Sequence, residues 1–413
     1  MANFYMGGIC GMGMAPLAAF LSQDKNNVSG FDDCANIEIQ HYLNSYKINS
    51  QLKVNSLEEF DTVVISTALK RRIDEFKKLG AKKILLRGQC WAEICAKRRL
   101  MAIMGSHGKS SVSALVAHSI NKYNLDCGWL VGAIPVGFEM HKYCAENKMV
   151  VSEIDESDAT IENFSPEITV ALNADLDHTD TYANWDDLEN MFIRLFERTQ
   201  KFVIYPENDK IIKKVASKFP VKSIPVKISN DFNTTNKIMA RTLVEKMFSI
   251  ELPTDAFDDF KGIRRRQEYI FDNNKFSIIA DYAHHPTEVK TFINAFKLQH
   301  SNKNKIVVFQ PHRYTRTKQF ADEFAQILDE CAKDGTKVLL TPVYPASEVF
   351  DADGSSEKIA KKSKNGSIVL ANCKEIIRMI NTLKLNANNT VVAIIGAGDL
   401  YFDIKKFLEK ENG

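Results

Sequence analysis

Short apolar runs alternate with longer amphipathic stretches along most of this chain. Each run has the length and apolar character of a buried strand, and the stretch that follows carries apolar residues at helical spacing. Strands that alternate with helices favour parallel sheets covered by helices, so the pattern predicts an α/β fold. The predicted strands cover residues 3–6, 62–65, 83–86, 100–104, 149–154, 168–172, 201–205, 276–280, 305–309, 337–340, 367–370 and 391–395.

Two basic stretches suggest where the chain divides into domains. Residues 96–99 are Ala-Lys-Arg-Arg and residues 262–266 are Gly-Ile-Arg-Arg-Arg, and each stretch precedes a block that begins with a strand. They predict three α/β domains of ordinary size, at residues 1–98, 99–270 and 271–413. For the second stretch, a solvated basic linker is an equally good interpretation.

Composition narrows the class of protein. Of the 413 residues, 45% are hydrophobic and 26% are charged, and the formal net charge of +2 argues against a nucleic-acid partner. The eight cysteines form no Cys-x-x-Cys pair or zinc-like spacing. Neither a signal peptide nor an apolar run of bilayer length is evident, so we expect a cytoplasmic protein with free thiols and no membrane partner.

The segment Met-Ala-Ile-Met-Gly-Ser-His-Gly-Lys-Ser at residues 101–110 has the layout of a phosphate-binding loop. A strand leads into the glycine turn of Gly105, Ser106, His107 and Gly108, and a helix follows. Backbone amides of such a turn face phosphates, Lys109 can reach the outer phosphates, and Ser110, beside Ser111, can ligate magnesium. Ile103 replaces the first glycine of the generic motif, and a plain glycine turn before a helix is the alternative.

A second glycine turn follows the first predicted strand. Residues 7–14 are Gly-Gly-Ile-Cys-Gly-Met-Gly-Met, and the next strand ends in Asp32. In nucleotide-binding folds such amides meet a diphosphate and the carboxylate meets a ribose hydroxyl. Cys10 replaces the middle glycine of the dinucleotide motif, which weakens a dehydrogenase interpretation. A tight turn without a ligand is an equally good alternative.

Acidic residues follow two of the central strands. Residues 150–158 are Val-Val-Ser-Glu-Ile-Asp-Glu-Ser-Asp, and residues 173–180 are Asn-Ala-Asp-Leu-Asp-His-Thr-Asp. Carboxylates at the carboxyl ends of strands can hold the magnesium of a bound nucleotide. Two such clusters at one sheet edge favour a metal site, with His178 as a ligand, over solvated acidic loops.

The last third of the chain carries two histidine-containing segments after strands. Asp-Tyr-Ala-His-His-Pro-Thr-Glu follows at residues 281–288, and Gln-Pro-His-Arg-Tyr-Thr-Arg-Thr-Lys follows at residues 310–318. Arg313 and Arg316 can hold a carboxylate or a phosphate with two parallel hydrogen bonds, which lysine does less well. We therefore predict an anion-binding site rather than a basic surface loop.

Taken in order, these motifs resemble those of the Mur ligases, the ATP-dependent amide-forming enzymes of peptidoglycan synthesis, over nearly the whole chain. The resemblance implies a Rossmann-like UDP-sugar domain, a central P-loop-type ATPase domain with a parallel sheet, and a C-terminal Rossmann-like α/β domain. The matching segments are residues 105–110, 155–158, 177–182, 281–288 and 310–317.

The resemblance also implies roles for individual residues. Lys109 would contact the β and γ phosphates, Ser110 and Glu153 would ligate one magnesium ion, and Glu153 with His178 would hold a second. The UDP-sugar side would comprise Gly8, Gly11, Gly13, Asp32, Ser66 and Thr67. The C-terminal domain would contribute Arg266 near the joint, Asp281 and His285 toward the nucleotide, and Tyr282, His312, Arg313 and Arg316 around the incoming amino acid and the muramyl carboxylate.

The implied reaction uses ATP to activate the lactyl carboxylate of UDP-N-acetylmuramate as an acyl phosphate, which L-alanine then attacks. A monomer or weak homodimer is expected. The first loop's Gly-Ile-Cys-Gly also resembles the related recycling ligase that attaches a preformed tripeptide to the same sugar, so that activity is the alternative. A non-catalytic nucleotide-binding protein and a nicotinamide-dependent oxidoreductase are more distant alternatives.

One segment departs from the family pattern. Residues 233–236, Asn-Thr-Thr-Asn, resemble the His-Asn-x-x-Asn motif on the adenine side, with Asn233 and Asn236 as its asparagines. Phe232 stands where the histidine is expected, and the stretch between Tyr205 and Gly262 is shorter than usual. The resemblance therefore implies roles on the adenine side for Asn233 and Asn236.

Overall fold

The computed structural model contains three sheets, each made mainly of parallel strands with helices packed on them. It describes residues 1–33, 37–155, 160–175, 182, 184–229, 231–273, 275–346 and 348–410. The α/β fold predicted from the apolar pattern is confirmed, and every predicted run overlaps a strand. Within the described ranges, none of the helices is both long and apolar enough for a membrane span.

The N-terminal sheet has four parallel strands in the order β2-β1-β3-β4. The first glycine turn connects β1 to helix α1, which is rich in alanine and mostly buried. A 3₁₀ helix, Thr67–Arg72, follows β3. The elements are β1 (Asn3–Gly7), α1 (Met14–Gln23), β2 (Asn27–Phe31), α2 (Ile37–Ser45), β3 (Thr62–Ile65), α3 (Ile73–Lys78), β4 (Ile84–Leu86) and α4 (Arg87–Cys95).

The central sheet has seven strands in the order β11-β10-β9-β5-β8-β6-β7. Strand β5 lies between β8 and β9 and is parallel to both, so the loops after these three strands meet at one edge. The elements are β5 (Arg99–Met104), α5 (Lys109–Lys122), β6 (Gly128–Leu130), β7 (His141–Lys142), β8 (Met149–Glu153), β9 (Ile168–Ala171), α6 (Trp185–Arg198), β10 (Phe202–Pro206), α7 (Lys210–Ala216), β11 (Ser223–Val226) and α8 (Phe232–Phe248).

The C-terminal sheet has six strands in the order β12-β13-β17-β14-β15-β16. Strands β13 and β14 flank β17, which again brings their carboxyl ends to one edge. The elements are β12 (Glu268–Asp272), β13 (Phe276–Asp281), α9 (Pro286–Gln299), β14 (Asn304–Phe309), α10 (Tyr314–Gln319), α11 (Ala321–Ala332), β15 (Lys337–Leu340), α12 (Ser356–Lys362), β16 (Ile368–Leu370), α13 (Cys373–Asn386), β17 (Thr390–Ile395) and α14 (Leu400–Lys410).

The chain forms two compact units, Met1–Ile263 and Arg264–Gly413. The first two sheets share one hydrophobic core, in which Phe20 and Trp91 of the N-terminal layer lie in the same cluster as Phe192 of the central layer. Strand β12 pairs antiparallel with β13 and belongs to the second unit, although residue 270 was predicted to end the central domain. The hydrogen bonds between β12 and β13 place β12 in the second unit.

Candidate functional site

The predicted phosphate loop connects β5 to α5. Gly105 and Gly108 adopt φ values of 134° and 86°, a region that favours glycine, so the backbone can turn its amides outward. Helix α5 begins at Lys109, and its first turn, Lys-Ser-Ser-Val, contains no acidic residue. The positive end of the helix dipole is therefore not offset locally, as an anion-binding helix requires. Ser111 lies in this turn and is partly buried.

Side chains from the loop after β9 hold the phosphate loop in shape. The Asn173 side chain accepts a hydrogen bond from the His107 amide (2.8 Å) and donates one to the His107 carbonyl (2.9 Å). The Ser106 hydroxyl oxygen accepts from the Asp175 amide at 3.0 Å, and His107 Nε2 lies 3.1 Å from Asp175 Oδ2. Asn173 was not among the predicted site residues, although its position after β9 marks the right sheet edge.

Lys109 lies over the same loop. Its Nζ atom donates a hydrogen bond to the Gly105 carbonyl at 2.7 Å, so the ammonium group is held beside the turn whose amides would meet phosphate. The predicted contact of Lys109 with phosphate stays a prediction. A lysine in this place acts as a point charge rather than as a bidentate fork.

Ser110 and Glu153 meet at the start of α5. The Ser110 hydroxyl donates to Glu153 Oε2 at 2.8 Å, and Glu153 ends strand β8 beside β5. Hydroxyl and carboxylate oxygens suit magnesium, which takes its remaining ligands from phosphate and water. The pair therefore fits a nucleotide-bound magnesium ion. Gly132 packs against the carboxylate, since a Cβ atom there would lie 1.8 Å from Glu153 Oε1.

The structure describes only part of the second predicted metal site. His178 lies outside the residues that the structure describes, and so do the acidic residues Glu156 and Asp158. Among the described residues, no group of three or more histidine, cysteine, aspartate or glutamate side chains could hold a metal ion. The described part of the chain thus offers one serine and one carboxylate for the metal.

The predicted adenine-side segment forms the first turn of α8, and it lies against the phosphate loop. A Cβ atom added to Gly108 would lie 3.0 Å from Asn236 Oδ1 and 3.4 Å from Phe232 Cζ. Asn236 is buried, whereas Asn233 is exposed on the same turn. The Phe232 ring thus occupies space beside the loop where the family pattern expects histidine.

The N-terminal glycine turn is built by close backbone approaches. Gly8 adopts φ 75°, and a Cβ atom there would lie 2.6 Å from Ser66 Oγ, so this site requires glycine. The Gly11 amide donates to the Gly8 carbonyl at 3.1 Å, and Thr67 begins the 3₁₀ helix after β3. Asp32 Oδ2 accepts a hydrogen bond from the Cys10 amide at 2.9 Å. One carboxylate oxygen of Asp32 therefore stabilises the turn, and the predicted contact of this side chain with the UDP-sugar stays a prediction.

Arg87 lies at this glycine turn, although it was not among the predicted site residues. Gly13 is the N-cap of α1, and a Cβ atom there would lie 3.0 Å from Arg87 Cδ and 3.1 Å from Arg87 Nε. A guanidinium group beside a helix N-terminus is a strong combination for binding a diphosphate. Its position directly after the predicted strand 83–86, at the same sheet edge, is the signal that could have found it.

In the C-terminal unit, two partly buried imidazoles form the centre of a polar cluster. The His312 ring stacks on Tyr344 with centroids 5.5 Å apart and lies 5.7 Å from the His284 ring. Burial, reinforced by neighbouring His284 and Arg316, lowers the pKa of His312 to about 3, and burial lowers the pKa of His284 to about 4. Both rings are therefore neutral at neutral pH. His284 and Tyr344 were not among the predicted site residues.

Two arginines border this cluster on helix α10 and its N-cap. Arg316 Nη1 lies 3.4 Å from His312 Nδ1. Arg313 caps the helix with φ 71°, and its amide donates to the Tyr344 carbonyl at 2.8 Å. The structure thus brings His312, Arg313 and Arg316 together after β14.

The basic stretch before β12 is not a solvated linker at Arg265. This guanidinium donates to the carbonyls of Gly396 (2.8 Å) and Gly398 (3.0 Å) and lies 4.7 Å from the centroid of the Tyr282 ring. Arg266, the predicted family arginine, lies 5.6 Å from the same ring and 3.9 Å from Glu288. Both arginines therefore pack against the ring of Tyr282.

Asp281 and His285 have structural contacts in this unit. Asp281 accepts hydrogen bonds from the Ala283 amide (2.9 Å) and the Gln267 amide (3.0 Å), and burial raises the pKa of its carboxyl group. His285 is the N-cap of α9, and its ring packs on Phe320 at 4.8 Å. Their predicted approach to a nucleotide stays a prediction.

Two family descriptions match the chain. Residues 103–263 match the Mur ligase middle domain, and residues 265–398 match the Mur ligase, glutamate ligase domain. Together these ranges contain the phosphate loop, the Ser110–Glu153 pair and the histidine–arginine cluster. The chain belongs to the Mur ligase family. Because Mur ligases are ATP-dependent amide-forming enzymes, the oxidoreductase alternative has no support in the family.

Similar Mur ligases align with nearly the whole length of this chain. The UDP-N-acetylmuramate–L-alanine ligase of Hydrogenobaculum sp. is 28% identical to this chain, over 96% of each protein. The fold is similar to the crystal structure of UDP-N-acetylmuramate–alanine ligase from Thermotoga maritima, with a TM-score of 0.80 and 22% identity over 100% of this chain and 99% of that one. It is also similar to a murein peptide ligase from Psychrobacter arcticus, with a TM-score of 0.72 and 19% identity over 99% and 98%.

Proposed function

We propose that this protein is the ATP-dependent ligase that joins L-alanine to the lactyl carboxylate of UDP-N-acetylmuramate in peptidoglycan precursor synthesis. The observation that carries the proposal is the end-to-end similarity to curated ligases with this activity. The geometry supports it in both units, through a phosphate loop with a serine–glutamate pair and through a cluster of neutral imidazoles with two arginines.

The phosphate loop and its surroundings supply the ATP side. The amides from Gly105 to Gly108 and the α5 dipole hold the phosphates, and Lys109 offsets their charge. Ser110 and Glu153 are the described residues that would hold magnesium. When bound, magnesium offsets negative charge on the transferring phosphoryl group. Arg87 and the turn at Gly13 provide an anion-binding position in the N-terminal layer for the diphosphate of the UDP-sugar.

The C-terminal cluster supplies the amino-acid side. Arg313 and Arg316 can bind the alanine carboxylate, and His284 and His312 lie within the same group of side chains. Since the pKa values of these two histidines lie near 4 and 3, neutral imidazoles face the amino acid at neutral pH. Alanine must lose a proton from its ammonium group before its nitrogen can attack, and imidazoles with such low pKa values are weak bases, so we assign these two rings to positioning rather than to removal of that proton.

The proposed reaction consists of a phosphoryl transfer followed by an acyl transfer. A lactyl carboxylate oxygen attacks the terminal phosphorus of ATP, and ADP leaves, which gives an acyl phosphate. The free amine of L-alanine then attacks the acyl carbon, phosphate leaves with the proton that the nitrogen loses, and an amide bond forms. The protein mainly orients two polyanions and one small amine, so positioning and charge compensation supply much of the rate.

Phosphate release with one component omitted at a time tests this function. The proposal predicts release that requires ATP, magnesium, UDP-N-acetylmuramate and L-alanine together. Release with the tripeptide L-alanyl-γ-D-glutamyl-meso-diaminopimelate and with no single amino acid would replace it with the recycling activity. ATP binding without release for any acceptor would indicate a non-catalytic nucleotide-binding protein.

A further inference from the structure

Glu153 accepts hydrogen bonds at both its carboxylate and its backbone carbonyl, and the contact at the carbonyl leads to the N-terminal layer. Ser110 donates to the Oε2 atom of Glu153, as described above. On the backbone side, the Ser152 hydroxyl donates to the Glu153 carbonyl at 3.0 Å. The same hydroxyl oxygen accepts a hydrogen bond from the Trp91 indole N–H at 3.0 Å. Trp91 therefore contacts the residue that immediately precedes the predicted metal ligand.

Trp91 comes from the N-terminal layer rather than from the central sheet. It lies on helix α4, is 1% exposed, and makes an edge contact with Phe20 at 5.1 Å between ring centroids. The helix is also fixed against the central layer at Gly88, where a Cβ atom would lie 2.0 Å from Thr160 Oγ1. Two close contacts hold α4, so the indole N–H has a defined position and direction.

A serine hydroxyl has one proton and can point it in several directions. The indole of Trp91 is a donor only, so it occupies the acceptor side of Ser152 Oγ and directs the serine proton toward the Glu153 carbonyl. This fixes the peptide at Glu153 and with it the base of the carboxylate side chain. Groups that orient a metal ligand in this way typically change metal affinity by about 10- to 100-fold when they are removed.

We propose that Trp91 is a positioning residue for Glu153, so that helix α4 of the N-terminal layer sets the magnesium affinity of the ATP site. The inference rests on the proposed function, because that function makes Glu153 a magnesium ligand. Trp91 touches neither the metal nor the substrates. It acts through Ser152.

The test compares Trp91→Phe with a matched control, Trp129→Phe. Trp129 is also buried, at 3% exposed, and its indole N–H donates to the Glu139 carbonyl at 2.9 Å, away from Ser152. Each substitution removes one indole N–H and keeps an aromatic ring. Three quantities are measured: the magnesium concentration for half-maximal phosphate release, the affinity for Mn²⁺ with ATP by electron paramagnetic resonance, and the melting temperature.

We expect Trp91→Phe to raise the half-maximal magnesium concentration and to weaken Mn²⁺ binding by about tenfold, with kcat at saturating magnesium nearly unchanged. Trp129→Phe should leave both metal readouts at the wild-type value. Ser152→Ala should reproduce the Trp91→Phe effect, and the double variant should show no further loss. If Trp91→Phe does not fold, Ser152→Ala alone carries the comparison.

Equal metal readouts for Trp91→Phe and Trp129→Phe, or additive effects of Trp91→Phe and Ser152→Ala, would overturn the inference. Failure of the proposed function looks different. In that case the wild-type protein itself would release no phosphate with its substrates, whatever the Mn²⁺ binding of the variants.

Discussion

Substituting Gly132 tests whether the Glu153 carboxylate is built into the ATP site by steric fit. The glycine does not adopt a left-handed φ, so Gly132→Ala introduces no backbone strain. The new Cβ atom would lie 1.8 Å from Glu153 Oε1, whereas ordinary contact begins at 3.4 Å, so the carboxylate must move by about 1.6 Å. Displacements near 1 Å at a reacting site can lower rates by about 100-fold, equivalent to roughly 2.7 kcal/mol of transition-state stabilisation.

The assay is phosphate release with UDP-N-acetylmuramate, L-alanine and ATP over a magnesium titration. Gly132→Ala should lower kcat/KM for ATP by about 100-fold at limiting magnesium, with an almost unchanged melting temperature. Glu153→Asp is the control, because the shorter side chain leaves room for the new methyl group. Adding Gly132→Ala to Glu153→Asp should therefore cost much less than it does in the wild-type background. A turnover of Gly132→Ala close to the wild-type value at limiting magnesium would refute the steric reasoning.

Three further predictions test other parts of the account. Lys109→Ala should abolish phosphate release while UDP-N-acetylmuramate still binds in calorimetry; near-normal turnover would remove Lys109 from the phosphate site. Arg87→Ala should weaken UDP-N-acetylmuramate binding by about tenfold or more, since a charged hydrogen-bond donor to the diphosphate is lost, and should leave ATP binding intact. His141 is buried, and its burial lowers its pKa to about 4. Its contribution to stability is complete above pH 6.5 and falls by about 3 kcal/mol as the pH drops to 4. Urea unfolding of His141→Gln should show a correspondingly smaller loss, and identical pH profiles would contradict this.

The strands and the phosphate loop of the central sheet could be predicted, because both depend on residues that are close together in the sequence. Buried parallel strands appear as continuous apolar runs, and the loops after neighbouring strands must share a sheet edge. The pairing of Ser110 with Glu153, which the family resemblance implied, follows the same geometry. Strands β6, β7, β11 and β12 were missed. Strand β7 contains only His141 and Lys142, and β12 carries four polar or aromatic residues that are partly or fully exposed.

Contacts between distant segments could not be predicted in the same way. Gly132 and Arg87 belong to no motif, and their importance comes from the atoms they meet across the fold, Glu153 in one case and Gly13 in the other. Asp32 shows the opposite situation. Its motif position suggested a ribose contact, but one of its oxygens accepts a hydrogen bond from a backbone amide of the turn. A motif identifies a residue type, whereas packing decides which partner the side chain meets.

Competition between acceptors in one reaction tests the central claim most directly. The protein is incubated with ATP, magnesium, UDP-N-acetylmuramate and equal amounts of L-alanine and the tripeptide L-alanyl-γ-D-glutamyl-meso-diaminopimelate, and the products are separated by mass. The account predicts UDP-N-acetylmuramoyl-L-alanine as the main product, with one ADP and one phosphate formed for each amide bond. A product that carries the tripeptide in place of alanine, or ATP consumption without any amide product, would contradict it.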